Sequence, residues 1–328
     1  MTKKYNWGVI GPGRIAHKFA EDLDLLPQAH LHAVASRSEE RAREFALQYG
    51  ATHYYGSYDE IAHCPDLDVV YIATPHTGHC EATLMCLEAG IPVLCEKPFA
   101  MNSREVGRMA SLAREKGVFL MEAIWTRFLP TIEKTLELIE AGEIGRVKSV
   151  KADFGFKAKF DPAGRLYNPE LGGGALLDIG IYPVFLALLI LGKPDQSRAL
   201  AHLGVTGVDE EVGILFHYHS GQMAHLHASV QTNTKTEAFI YGDEGVIQIE
   251  TRWHGPSSLS LWRFGERPRN FSFDYRGHGY EYEAEEVMRC LEMGKTESDR
   301  LPLSFSEDLI ALLDDLRLQI GLRYAADA

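Results

Sequence analysis

The stretch Tyr5–Ala16, YNWGVIGPGRIA, decides the fold. Tyr5 to Ile10 is a short apolar run that meets a glycine turn, after which Ile15, Phe19, Leu23 and Leu26 recur at helical spacing. This reads as strand, turn and helix. Gly11, Gly13 and Ala16 match G-x-G-x-x-[GA] in the context that motif requires. Gly11 permits the tight turn, Gly13 lets the backbone approach a pyrophosphate and Ala16 allows close helix packing. The N–H groups opening the helix, at Arg14 and Ile15, attract an anion. The alternative is a structural turn without a ligand.

The same unit repeats downstream. LHAVAS (31–36), DVVYIAT (68–74) and IPVLCE (91–96) each precede an amphipathic helical segment, and FLMEA (119–123) closes the series. Strands apolar on both faces and separated by helices predict a doubly wound parallel sheet, a Rossmann domain over 1–122. Beyond it the texture changes. Helices are expected over Pro130–Ala141 and Ala175–Leu191, then alternating runs such as EVGILFHYHSGQMAHLHASVQT and EAFIYGDEGVIQIETRW read as antiparallel hairpins. Two helices, near Tyr280–Met293 and Ser306–Tyr324, end the chain. The expectation is an α/β protein whose second domain, 123–328, carries a large open, mostly antiparallel sheet and serves substrate binding and dimerisation.

The end of the second strand bears on the cofactor. An NAD site places an acid there for the ribose 2′-hydroxyl. This chain has Ser36, Arg37 and Ser38, with Arg41 one turn on. Hydroxyls and guanidinium groups suit a 2′-phosphate, which predicts NADP rather than NAD. In the alternative, Ser38 is a helix N-cap, the arginines are solvated, and Glu39 or Glu40 reaches the ribose.

In an open parallel sheet ligands lie beyond the carboxyl ends of the strands, where ATPHTGH (73–79) and Glu96-Lys97-Pro98 both fall. Pro98 biases Lys97 toward an extended conformation and delays the next helix. A lysine there can hydrogen-bond the substrate oxygen that exchanges a proton as hydride moves; alone, it would read as an exposed strand end.

Composition limits the remaining readings. The 328 residues are 45% apolar and carry 33 basic against 46 acidic side chains, a net charge of −13, which excludes nucleic-acid and anionic-membrane surfaces as partners. Five cysteines without a C-x-x-C pair, and an opening segment without a signal-peptide pattern, predict a cytoplasmic protein with reduced thiols. Ala175–Leu191 is long and apolar, but Asp178 and Pro183 make it a buried helix rather than a membrane span. His217, His219, His225 and His227 share one hairpin, yet no carboxylate or cysteine completes a zinc set, and no metal site is expected.

The combination GVIGPGRIA, ATPHTGH, EKPFAMN and GGGALLDIGIYPV resembles the Gfo/Idh/MocA oxidoreductases, and EAIWTRFLP (122–130) with Tyr182 is similar to their dihydrodiol and D-xylose dehydrogenase branch. The resemblance spans nearly the whole chain. It implies a catalytic Lys97 and, because Tyr182 stands where most members have histidine, a tyrosine acid/base with Asp178 as supporting partner. Asp178 and Tyr182 are four apart and share a helix face. The resemblance also implies cofactor contacts from Thr74, His76, His79, Glu96, Trp125 and Arg127. Trp125 would face the substrate as well, with Phe154, Phe156 and Tyr280 as an apolar wall; core packing is the alternative for these aromatics, and a surface position for Arg127. The activity implied is NADP-dependent hydride transfer to or from a secondary alcohol of a sugar or trans-dihydrodiol. Hairpins whose two faces both carry apolar or aromatic residues, as in GILFHYH and EAFIYG, separately predict a homodimer joined through residues 145–275. A non-catalytic NADP sensor on the same scaffold would not need an acid/base set, and a methyltransferase has no use for E-K-P.

Overall fold

The computed structural model describes residues 3–328; Met1 and Thr2, part of the opening segment considered above, lie outside them. In chain order the elements are β1 (Tyr5–Ile10), α1 (Arg14–Leu23), β2 (Ala29–Ala35), α2 (Glu39–Tyr49), β3 (His53–Tyr55), β4 (Val69–Ile72), α3 (His79–Glu88), β5 (Val93–Glu96), α4 (Ser103–Lys116) and β6 (Leu120–Ala123). There follow α5 (Pro130–Glu140), β7 (Val147–Gly155), α6 (Ile181–Leu191), β8 (Gln196–Leu203), β9 (Asp209–His217), β10 (Met223–Ser229), β11 (Ala238–Gly242), β12 (Gly245–Ile249), β13 (Leu259–Arg263), β14 (Arg269–Phe271), α7 (Glu281–Glu292) and α8 (Leu303–Ile320).

The chain divides into two compact units, residues 1–125 with 275–307 and residues 126–274 with 308–328. The first carries a six-stranded parallel sheet in the order β3-β2-β1-β4-β5-β6. Strands β4, β5 and β6 are buried along their whole length, as expected of strands covered on both faces. The stacked rings of Phe19 and Tyr71, 3.8 Å apart, fasten α1 to β4. Only β3, three residues long, has no counterpart in the hydrophobic pattern, because its His-Tyr-Tyr is half-exposed at the sheet edge.

A single break at 122/123 was expected, whereas 275–307 returns to the first unit. The return is fixed by polar groups that leave no periodic signal. The buried Asp22 carboxylate accepts the N–H groups of His278 and Tyr280, both at 2.8 Å, and Leu120 N–H donates to Thr296 O at 3.0 Å beside β6.

The second unit holds an eight-stranded sheet in the order β14-β13-β12-β11-β7-β10-β9-β8. Every neighbouring pair is antiparallel except β7 and β10. The two expected hairpins are β9–β10, turning at Gly221, and β11–β12. Along β9 and β10 Val212, Ile214, Phe216, Ala224, Leu226 and Ala228 face inward, while Leu215, His217, His225 and His227 face out. The apolar stretch Pro169–Leu191, mean hydropathy 2.2, is long enough to cross a membrane; it is buried within its unit as a core helix would be.

Candidate active site

The glycine turn shows which of its residues serve the fold and which leave room. Gly11 has φ +85°, and a Cβ there would meet Thr74 N at 2.9 Å and Ala73 O at 3.0 Å, both backbone atoms that cannot yield. At Gly13 a Cβ would meet only Gly11 O, at 3.9 Å. The protein's own packing therefore does not require glycine at 13, and the bare backbone leaves room for a ligand to approach closely. Gly13 is the N-cap of α1 and offers no side-chain cap, so the helix's first N–H groups point outward unsatisfied by a capping side chain.

At the end of β2, Ser36 is buried and its Oγ accepts Ser38 N–H at 3.2 Å, while Arg37 is exposed. Ser38 caps α2 through Arg41 N–H at 3.4 Å, as the alternative reading held. The Arg41 side chain is not merely solvated: Nη2 donates to Pro12 O at 3.4 Å and lays the guanidinium against the glycine turn. Thr74, at the end of β4, is buried, and its Oγ1 has no hydrogen-bond partner. His76 is buried beside His79, their rings 5.9 Å apart.

His79 has a different task from the one expected of it. Its Nδ1 lies 2.8 Å from Pro98 O and its Nε2 2.9 Å from Thr74 O. Two carbonyls facing one imidazole favour the charged ring, but complete burial opposes it and prevails, pushing the pKa down to about 4. The neutral ring donates to one of the two carbonyls and faces the other, so His79 sits between the end of β4 and the E-K-P turn with neither nitrogen directed at a ligand.

That turn is anchored at three carboxylates. Glu96 is buried; it receives the Tyr71 hydroxyl on one oxygen and Lys97 N–H at 3.1 Å on the other. Glu122 accepts Phe99 N–H at 3.0 Å. Glu105 accepts Met101 N–H at 3.0 Å, and Asn102 caps α4 through Glu105 N–H, also at 3.0 Å. The Lys97–Pro98 peptide bond is cis. Lys97 is half-buried, and α4 begins only at Ser103, the delay the proline predicts. In the same unit Trp125 stacks on Tyr280 with ring centroids 4.5 Å apart and planes 16° from parallel, so the tryptophan expected at the pocket meets one of the expected wall residues.

In the second unit the triple-glycine loop leads into a wide π turn, Leu176–Gly180, and then into α6. Asp178 lies in the wide turn and Tyr182 in the first turn of α6, in place of one uniform helix from Ala175; both side chains are buried. Gly174, at φ +124°, is required because a Cβ would lie 2.2 Å from Asp209 Oδ1. Asp209 in turn accepts Leu176 N–H at 2.6 Å, and burial raises its pKa to about 7.

The sequence missed two residues here. Arg165 forms a two-pronged ion pair with Asp178, Nη1 to Oδ1 at 2.5 Å and Nη2 to Oδ2 at 3.2 Å. His254 is buried, stacks on Phe154 at 3.9 Å and lies 5.2 Å from the Tyr182 ring, with Phe154 5.6 Å from Tyr182 and 6.1 Å from Phe156. Neither stands in a periodic run, so no pattern marks them. Arg127, for which a surface position was the alternative, is 8% exposed and paired with Glu133. The hairpin histidines go separate ways, His219 to Asp195 and His227 to Glu211.

The open position at Gly13, the partnerless Thr74 Oγ1 and the uncapped α1 together fit a dinucleotide, whose pyrophosphate needs backbone donors and close approach. Comparisons with known proteins agree. Residues 5–124 match the family model described as oxidoreductase family, NAD-binding Rossmann fold, and 132–248 match the GFO/IDH/MocA C-terminal domain. The chain is 40% identical over 332 residues to trans-1,2-dihydrobenzene-1,2-diol dehydrogenase of Mus musculus and 39% identical over 330 residues to that of Xenopus laevis, covering 98% and 97% of this chain and 98% of each relative. A solved 3-ketoreductase from Actinomadura kijaniata, in complex with NADP and TDP-benzene, superposes with a TM-score of 0.87 at 25% identity, over 97% of this chain and 98% of that one.

Proposed function

Because the chain belongs to the Gfo/Idh/MocA oxidoreductase family, we propose that it is an NADP-dependent dehydrogenase acting on a secondary alcohol of a trans-dihydrodiol or sugar. The observation that carries the reading is Tyr182, an ionisable hydroxyl buried among the rings of Phe154 and His254 in the first turn of α6, just after the wide turn that buries Asp178. A phenol with an aromatic wall suits an apolar or flat ring bearing a hydroxyl, since such a surface covers the carbon face and leaves the oxygen to a polar group.

Bound NADP would supply the hydride acceptor. The chain's residues bind, orient and move the proton. Gly11, Gly13 and the opening N–H groups of α1 hold the pyrophosphate; Ser36, Arg37 and Arg41 meet the 2′-phosphate, which needs cationic donors where an NAD site has an acid. Thr74 Oγ1 gains in the cofactor the partner it lacks. Tyr182 Oη takes the proton from the substrate hydroxyl in oxidation and returns it in reduction. Lys97 supplies positive charge to the same step, which favours the tyrosinate and lowers its pKa from the ordinary value of about 10. Asp178, held by Arg165, fixes the polar side of the wide turn. NADPH formation from a panel of trans-dihydrodiols, aldoses and inositols tests the reading; turnover of none of them with either nicotinamide cofactor would overturn it.

A further inference from the structure

We propose that the outer edge of the first unit's sheet holds a Zn²⁺ site made of His32, His53 and Cys64, with water as fourth ligand. One ring nitrogen of each histidine and the Cys64 sulfur lie within 4.8 Å of one another. A tetrahedral zinc with Zn–N of about 2.0 Å and Zn–S of about 2.3 Å separates its ligands by about 3.5 Å, so side-chain rotation of about an ångström closes the site.

The backbone is arranged for it. Strands β2 and β3 are parallel neighbours with Ala33 opposite His53, and Thr52 N–H donates to His32 O at 3.0 Å, which brings the two imidazoles to a centroid distance of 4.8 Å. Cys64 follows the short turn Asp59–His63 and is fixed by its N–H to Ile61 O at 3.0 Å.

The outer contacts point the same way. His32 Nε2 lies 3.0 Å from Pro65 O. A carbonyl can only accept, so Nε2 carries the proton and Nδ1 is left with the lone pair a metal takes, the arrangement in which a backbone carbonyl orients a ligating histidine. The Cys64 thiol donates to the same Pro65 O, at 3.6 Å, which places the sulfur and the His32 ring about one carbonyl. Two neutral imidazoles and a thiolate form a borderline-soft set suited to zinc, and the half-exposed histidines leave one side open to water. A cysteine thiol carries its proton at neutral pH, and a coordinating cation displaces it. The balance is then Zn²⁺ plus R–SH giving Zn–SR plus H⁺, one proton released for each metal bound. The bound ion would clasp β2, β3 and the 59–64 turn together.

The full chain, stripped with chelator, is titrated with Zn²⁺ and separately with Co²⁺. One equivalent of zinc should bind, releasing one proton, and Co²⁺ should give a thiolate charge-transfer band in the near ultraviolet with tetrahedral visible bands. Outer contacts of a metal site are worth about 10–100-fold in affinity, so removing a direct ligand in Cys64→Ser should weaken zinc by at least about 100-fold and abolish the charge-transfer band. His53→Gln, which keeps a hydrogen-bonding side chain should Cys64→Ser fold poorly, should weaken zinc similarly. Cys290→Ser should leave both readouts unchanged. Absence of stoichiometric zinc binding, a band that survives Cys64→Ser, or binding lost on His225→Ala but kept in Cys64→Ser would overturn the proposal.

Discussion

The proposed roles of Tyr182, Lys97 and Arg37 are each open to test by a single substitution. Tyr182→Phe removes the exchangeable proton and keeps the ring that packs on Phe154 and His254. Turnover should fall by about 10²–10⁴-fold with NADP affinity nearly unchanged, as steady-state rates and a cofactor titration would show. Lys97→Met should also depress kcat. In the reduction direction Tyr182 must hold its proton, so removing a positive charge that acts on it raises the tyrosine pKa and moves the basic limb of the pH profile upward. The two losses should not add, because both residues act on one proton transfer. Near-normal turnover in Tyr182→Phe with an inactive Lys97→Met would make the lysine the acid/base. Arg37→Ala should cost NADP on the order of 1.5–3 kcal/mol of binding and leave NAD unchanged. Equal affinity of the unmodified protein for both cofactors would refute the arginine reading.

At the scale of elements, β6 shows how a buried acid shapes stability. Glu122 is enclosed at the end of that strand, and burial raises its pKa from 4.5 to about 7. Between those values the folded chain keeps a proton that the unfolded chain has released. The contribution is therefore fully present below about pH 4.5 and is lost as pH rises through 7, a difference on the order of 3 kcal/mol. Glu122→Gln keeps an oxygen for Phe99 N–H and holds no charge, so thermal melts should show it more stable than the parent at pH 8–9, with the gain gone at pH 5. A gain independent of pH would disprove the titration. The Asp178–Arg165 pair acts on the wide turn before α6. Arg165 is 43% exposed, so its loss lets water reach the carboxylate, and Arg165→Ala should destabilise by about 1–3 kcal/mol. An unchanged melting temperature would show that the turn does not depend on it.

The whole molecule should be a dimer. The inward face of the eight-stranded sheet covers its own helices, and the outward face exposes Leu200, Leu215, Met223 and Trp262 beside the stacked Phe239 and Tyr241. Exposed large apolar side chains recurring along one sheet face are candidates for burial, and a second copy of the same surface would cover them. Sedimentation should give a dimer at micromolar concentration, and Leu215→Lys with Trp262→Glu should shift it to monomer. A monomeric parent chain would refute this.

The strand and helix series of the first sheet, β3 apart, the hairpins of the second and the glycine turn of the candidate site were legible in the sequence, because each rests on local chemistry: apolar periodicity and a turn that only glycine can make at Gly11. What tertiary structure alone decided are the pairings between groups far apart in the chain. Residues 275–307 return to the first unit through Asp22, more than 250 positions away. His79 lies between two backbone carbonyls, Arg165 finds Asp178, and His254 comes to lie over Phe154. His32, His53 and Cys64 converge although 32 residues of chain separate the first from the last. Hydrogen bonds and ion pairs of this kind carry no period, since each needs one partner in one direction, and the sheet register that brings the partners together is set only when the core is packed.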